Sequence, residues 1–129
     1  MASIFTRIIH RELPAYIVAE DDSNMAILDI NPLVEGHVLV FPKIEVDKIY
    51  DLAPEDYASL MHFSQQLSLK IQKVYPDKRV ASAVVGLEVP HAHVHLVPIT
   101  QVAELNFTKE RPSFTPNDFQ RCLERLKQV

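Results

Sequence analysis

The segment His91-Ala92-His93-Val94-His95-Leu96-Val97-Pro98 constrains the fold of this chain more than any other. On an extended strand successive side chains point to opposite faces. His91, His93 and His95 then share one face, and Ala92, Val94 and Leu96 share the other. The apolar face can bury beneath a helix. The other presents imidazoles whose Cα atoms are ~7 Å apart for neighbours and ~13 Å apart for the outer pair. Such a chain needs a sheet with one packed face and one face that tolerates three polar rings.

The flanking sequence offers the partners for that sheet. Residues 4–9 place Ile4, Phe5 and Ile8 on one side of a short helical turn, closed by Pro14. Residues 15–20 and 25–30 read as strands joined by Asp21-Asp22-Ser23-Asn24, a turn of Asx and Ser residues. Asn31-Pro32 ends the second strand. Gly36 opens His37-Val38-Leu39-Val40-Phe41, a mostly apolar strand stopped by Pro42. Pro54, Glu55 and Asp56 suit a helix start. From there Tyr57, Leu60, Met61, Leu67, Ile71 and Val74 recur at three- and four-residue spacing up to Pro76. Residues 79–85 and 91–99 read as two further strands. Thr115 is expected to cap a last helix from Pro116, with Phe119, Leu123 and Leu126 as its apolar stripe. The pattern predicts an α+β fold with a largely antiparallel sheet of about five strands, one long helix and a C-terminal helix.

Length and charge narrow the function. At 129 residues, 47% hydrophobic, the chain is expected to form one domain, 1–129. No apolar run approaches ~18 residues, so no membrane span is expected. The first residues lack the basic-then-apolar pattern of a secretory signal. The single cysteine, Cys122, excludes an internal disulfide and a multi-cysteine zinc site, and a cytoplasmic location is the expectation. A net charge of -4 provides no positive field for nucleic acid. With only Gly36 and Gly86, the chain cannot build a glycine-rich dinucleotide or phosphate loop. Any phosphate must be held by side chains and a few backbone amides.

Three readings of the histidine ladder compete. Burial of three imidazoles as plain structure would cost several kcal/mol of desolvation without partners. A metal could bridge two histidines at i and i+2, but the third, ~13 Å along an unbent strand, is badly placed for the same ion. The third reading is nucleophilic catalysis at phosphorus. Neutral imidazole can attack, and its neighbours can donate hydrogen bonds to phosphate oxygens or assist a leaving group.

The alternation His-φ-His-φ-His-φ-φ, with φ apolar, resembles that of the histidine triad (HIT) superfamily. Residues 4–14, Ala26-Ile27-Leu28-Asp29-Ile30-Asn31-Pro32 and Gly36-His37-Val38-Leu39-Val40-Phe41-Pro42-Lys43 are similar to the corresponding segments of its Hint-like branch. The resemblance covers roughly residues 3–100. It implies a HIT-like α+β fold and two-fold homodimers whose sheets join. It also implies a purine nucleotide substrate cleaved at the α-phosphate through a nucleotidyl-histidine intermediate, without a cofactor. By resemblance His93 is the nucleophile, His95 contacts phosphate and leaving group, and His91 orients the nucleophile. Asp29 holds the ribose hydroxyls, where its own sequence context would equally make it a turn-starting Asp. Ile4, Phe5, Ile8, Ile27, Leu28 and Ile30 line the base pocket, and the Gly86 amide approaches phosphate. A nucleotide-binding or protein-interaction module with little turnover is the alternative.

The chain departs from the family at four places. Zinc-binding members carry cysteines near residues 3 and 6 and a histidine near 45, where this chain has Ser3, Thr6 and Glu45, so no structural zinc is expected. Before the triad, Gly86-Leu87-Glu88-Val89-Pro90 replaces a Gly-Gln-Ser/Thr-Val pattern. Glu88 there either holds an imidazolium, receives a basic leaving group, or is a solvated loop acid. Residues 79–87 contain no asparagine, and the chain contains no tryptophan. Phe63 and Leu69, off the long helix's main stripe, could face a partner subunit.

Overall fold

In the computed structural model, which describes residues 1–129, the chain runs α1 (Ile4–Ile9), β1 (Ile17–Glu20), β2 (Asn24–Leu28), β3 (Val38–Pro42), α2 (Pro54–Val74), β4 (Arg79–Ala83), β5 (Val94–Ile99) and α3 (Pro116–Lys127). Two short 3-10 turns, Ile49–Asp51 and Val102–Glu104, lie between these elements. The five strands form one antiparallel sheet in the order β1-β2-β3-β5-β4, the predicted α+β architecture.

Alternation along the central strands divides the core in two. Ala26, Leu28, Val38, Val40, Val94 and Leu96 point to the side covered by α2 and α3, where they pack with Leu60, Leu67, Ile71 and Leu126. Met25, Ile27, Leu39 and Phe41 point to the opposite side and pack beneath Phe5 and Ile8 of α1. β2 and β3 are buried on both faces, as expected of strands covered twice. The capping expected for α3 is present: Thr115 accepts from the Asp118 amide, and Asp118 accepts from that of Thr115.

Several expectations need correction. The strand expected over 91–99 begins only at Val94. Continuing the β3–β5 register would set Ala92 opposite Pro42, which has no N–H to give, and the Ala92 amide bonds the Val46 carbonyl instead. The strands expected over 15–20, 25–30 and 79–85 are also shorter. On α2, Tyr57 is exposed, whereas Phe63 packs against the helix-side core; Ser64 takes a place on the buried stripe by donating its hydroxyl to the Leu60 carbonyl.

The loop from 29 to 37 is held from behind. Glu35 accepts a hydrogen bond from the Tyr75 hydroxyl at 2.7 Å and a longer one from Arg125 of α3 at 3.4 Å. Gly36 adopts φ 90°, and a Cβ there would stand 2.6 Å from Tyr75 Cε2. Gly86 also has positive φ but faces open space. Gly36→Ala therefore combines backbone strain with a steric conflict and should destabilise the fold by ~2–4 kcal/mol. Urea unfolding would show this as a lowered midpoint, whereas Gly86→Ala should cost only the backbone part.

Candidate functional site

A cleft of about 500 Å³ opens on the α1 side of the sheet, within the ~300–1,000 Å³ usual for small-ligand sites. Its apolar wall includes Ile4, Phe5 and Ile8 from α1 and Ile27 and Leu39 from the sheet. Asp29 lies at its rim, one residue beyond β2, with Oδ1 accepting the Asn31 amide at 2.8 Å. Leu28 borders the cleft, but its side chain belongs to the helix-side core, as its alternation with Ile27 demands. Ile30, 72% exposed, sits at the outer edge rather than in a closed pocket. Gly86, Leu87 and Glu88 line the cleft from the loop after β4.

The three histidines are not a row of open imidazoles. His91 is fully buried, and both its ring nitrogens are engaged, Nε2 with the Pro42 carbonyl and Nδ1 with Ser3 Oγ, each at 2.7 Å. Because a carbonyl only accepts, His91 carries its proton on Nε2, and Ser3 donates to Nδ1. His93 and His95 do line the cleft, with ring centroids 5.0 Å apart.

Hydrogen bonding fixes the tautomers of these two rings. His93 Nδ1 lies 2.7 Å from the His91 carbonyl oxygen, so Nδ1 bears the proton and Nε2 keeps a free lone pair. For His95 the decisive group is the Leu33 amide, which donates to His37 Nδ1 at 3.0 Å. The His37 proton is then on Nε2 and is donated to His95 Nδ1 at 2.9 Å. His95 is left with its proton on Nε2. Neither His93 Nε2 nor His95 Nε2 has a protein partner, and both remain accessible from the cleft. An acceptor-type nitrogen and a donor-type N–H thus stand side by side.

Burial favours the neutral rings. Desolvation, followed by the charge of Arg111, lowers the His37 pKa from 6.5 to about 3. His95 is lowered to about 3, again first by desolvation and then by its histidine neighbours. Desolvation also lowers His91, partly opposed by the Pro42 carbonyl and Glu45. Asp29, His37 and His95 are close enough together to suggest a metal site. A metal would need the His37 Nε2 lone pair, however, and the Leu33 amide forces the proton onto that nitrogen.

Several residues of the site carry no local sequence signal. His37 is 1% exposed, and the one hint is an isolated polar residue at the start of an apolar strand. Phe107, Thr108 and Arg111, from the segment between β5 and α3, also line the cleft. The Phe107 ring meets that of His95 edge-on at 4.7 Å. The two remaining histidines, His10 and His62, are exposed and apart from the cleft.

The neutral pair has a consequence for stability. In the unfolded chain imidazole takes a proton below about pH 6.5, whereas folded His37 and His95 do so only near pH 3. Between these values the unfolded state binds more protons, so stability falls as pH drops, by up to ~1.4 kcal/mol per pH unit for each ring. Urea midpoints should decline steadily from pH 7 to pH 4.5, and substitution of His37 by Asn should flatten that decline.

The HIT domain matches residues 10–102. An uncharacterized HIT-like protein of Synechocystis is 38% identical over 104 residues, which cover 74% of this chain and 88% of that protein. The adenosine 5'-monophosphoramidase of Saccharomyces cerevisiae is 33% identical over 98 residues, covering 75% of this chain and 62% of the yeast protein. A zinc-bound histidine triad family protein from Mycobacterium smegmatis has a TM-score of 0.81 at 26% identity, covering 99% of this chain and 95% of its own. In this chain Ser3, Thr6, Glu45 and His91 do converge, but their donor set does not fit zinc. Ser3 Oγ accepts the Thr6 amide and donates to His91, while Glu45 Oε1 accepts from the Ser3 amide at 2.8 Å and the Thr6 hydroxyl at 2.7 Å. From the matched segment, the level of identity and the shared fold, the chain belongs to the HIT domain family.

Proposed function

We propose that the protein is a purine nucleotide-binding hydrolase or transferase acting at the α-phosphate of a nucleoside phosphoramidate or related adenylylated compound. The observation that carries this reading is the free Nε2 of His93, held towards the cleft by the bond from Nδ1 to the His91 carbonyl. The apolar wall around Phe5, Ile8 and Ile27 suits a purine. Asp29 at the rim can accept the ribose hydroxyls, and Gly86, which also lines the cleft, can offer its amide to the phosphate.

In this reading His93 Nε2 attacks phosphorus, forming a P–N bond as the bond to the leaving group breaks. The departing amine takes its proton from water at the open side of the cleft. The positive charge on the phosphorylated imidazole is stabilised by the His91 carbonyl at Nδ1. His95 donates its neutral Nε2–H to a phosphoryl oxygen, a fixed donor aimed where charge develops. Water then attacks phosphorus as the P–N bond to His93 breaks, its proton passing to the hydroxide left by the first step, which releases the nucleoside monophosphate and restores neutral His93. His91 acts as a positioning residue through its carbonyl and its bonds to Pro42 and Ser3.

The competing reading, a nucleotide-binding module with little turnover, is favoured by Glu88 on the cleft wall beside Leu87, which is 89% exposed. A carboxylate there opposes an incoming phosphate. The reading also extends to a cytoplasmic homodimer: Tyr57 and Leu69 expose apolar surface on α2, and β4 forms one edge of the sheet. Light scattering on the eluted protein should then give twice the chain mass.

His93→Ala should reduce hydrolysis of a fluorogenic adenosine phosphoramidate by at least ~1,000-fold while AMP binding by calorimetry changes only a few-fold. Hydrolysis retained by the variant would refute the nucleophile. AMP binding by the parent without hydrolysis would favour the module.

A further inference from the structure

We propose that Arg111 is the residue that grips the substrate's phosphate by charge, and that the protein thereby selects nucleotides over nucleosides. The inference rests on the nucleotide reading above and adds a residue to it.

Arg111 is the one Lys or Arg among the residues lining the cleft, whose other charged members are Asp29 and Glu88. A phosphate entering beside two carboxylates is repelled unless a cation compensates. His95 does not supply one: burial keeps it, like the His37 ring bonded to it, neutral until about pH 3. Arg111 is permanently charged.

Its placement suits the task. The guanidinium makes one hydrogen bond, from its NH1 group to the Asn31 carbonyl at 2.6 Å, and has no carboxylate within salt-bridge distance. A guanidinium has five N–H donors, so most remain available. The group lies 5.9 Å from the centre of the Phe107 ring, and that ring abuts His95. Its charge also lowers both His37 and His95, which places it electrically next to the donor end of the site. Asn31 follows Asp29 by two residues, so one turn anchors both the carboxylate suited to ribose and the cation suited to phosphate.

A merely structural role would make Arg111 a latch fastening the segment after β5 to the loop after β2. Calorimetry on the full chain with AMP and with adenosine separates the two, because adenosine lacks the phosphate. The parent should bind AMP more tightly than adenosine, with an affinity that falls as salt is raised. Arg111→Met should weaken AMP on the order of 10- to 100-fold, leave adenosine within about twofold, and abolish the salt dependence. Arg111→Lys, which keeps the charge without the fork, should fall between parent and Met variant.

An Arg111→Met protein that binds AMP as tightly as the parent overturns the inference while leaving the nucleotide reading intact. Equal losses for AMP and adenosine overturn it in favour of the latch. A parent that binds neither ligand overturns the nucleotide reading and this inference with it.

Discussion

One backbone carbonyl, that of His91, decides which nitrogen of His93 faces the cleft. That oxygen is itself held in place because the His91 ring is pinned at both ends, by Pro42 and by Ser3. Pro42 has no N–H to continue the ladder, so β5 starts late and the preceding residues are free to bend. A proline at the end of one strand thus has a chemical effect on the next: the segment that fails to become strand is the one that presents the lone pair.

The same logic runs on the other side of the site. A single amide, that of Leu33, sets the proton position in His37 and through it in His95. Buried polar rings are tolerable here because every nitrogen facing the protein has a partner, and the two that do not have one face the cleft. Desolvation then favours the neutral form of His37, His91 and His95. In the reaction proposed above, His95 would then contribute a preorganised hydrogen bond rather than imidazolium charge.

Much of the sheet is legible from local sequence. The alternation in Met25–Leu28 and Val38–Phe41 assigns each side chain to one of two cores, because a strand has no other way to distribute side chains. The apolar periods of α2 and α3 and the Thr115 cap are similarly direct. Three kinds of feature are not legible. The start of β5 depends on what Pro42 lacks, a property of the neighbouring strand. Phe63 packs inward and Tyr57 does not, an outcome set by how α2 lies on the sheet, which helical spacing does not encode. Within the site, His93 and His95 stand out by pattern, whereas His37 joins His95, and Arg111 the cleft, only through long-range packing, 58 residues from His95 for the former and 80 from Asn31 for the latter.

The joint between α1 and the site has a further consequence. Where zinc would demand thiolates and imidazoles, Ser3, Thr6 and Glu45 fasten the N-terminal turn to His91 with two hydroxyls and one carboxylate. A fastening of that composition is indifferent to chelators and to oxidants of sulfur. It depends instead on Glu45 staying ionised, and the Ser3 amide and Thr6 hydroxyl hold its carboxyl below the usual range. Acid strong enough to protonate it would loosen the wall of the cleft before any metal chemistry came into play.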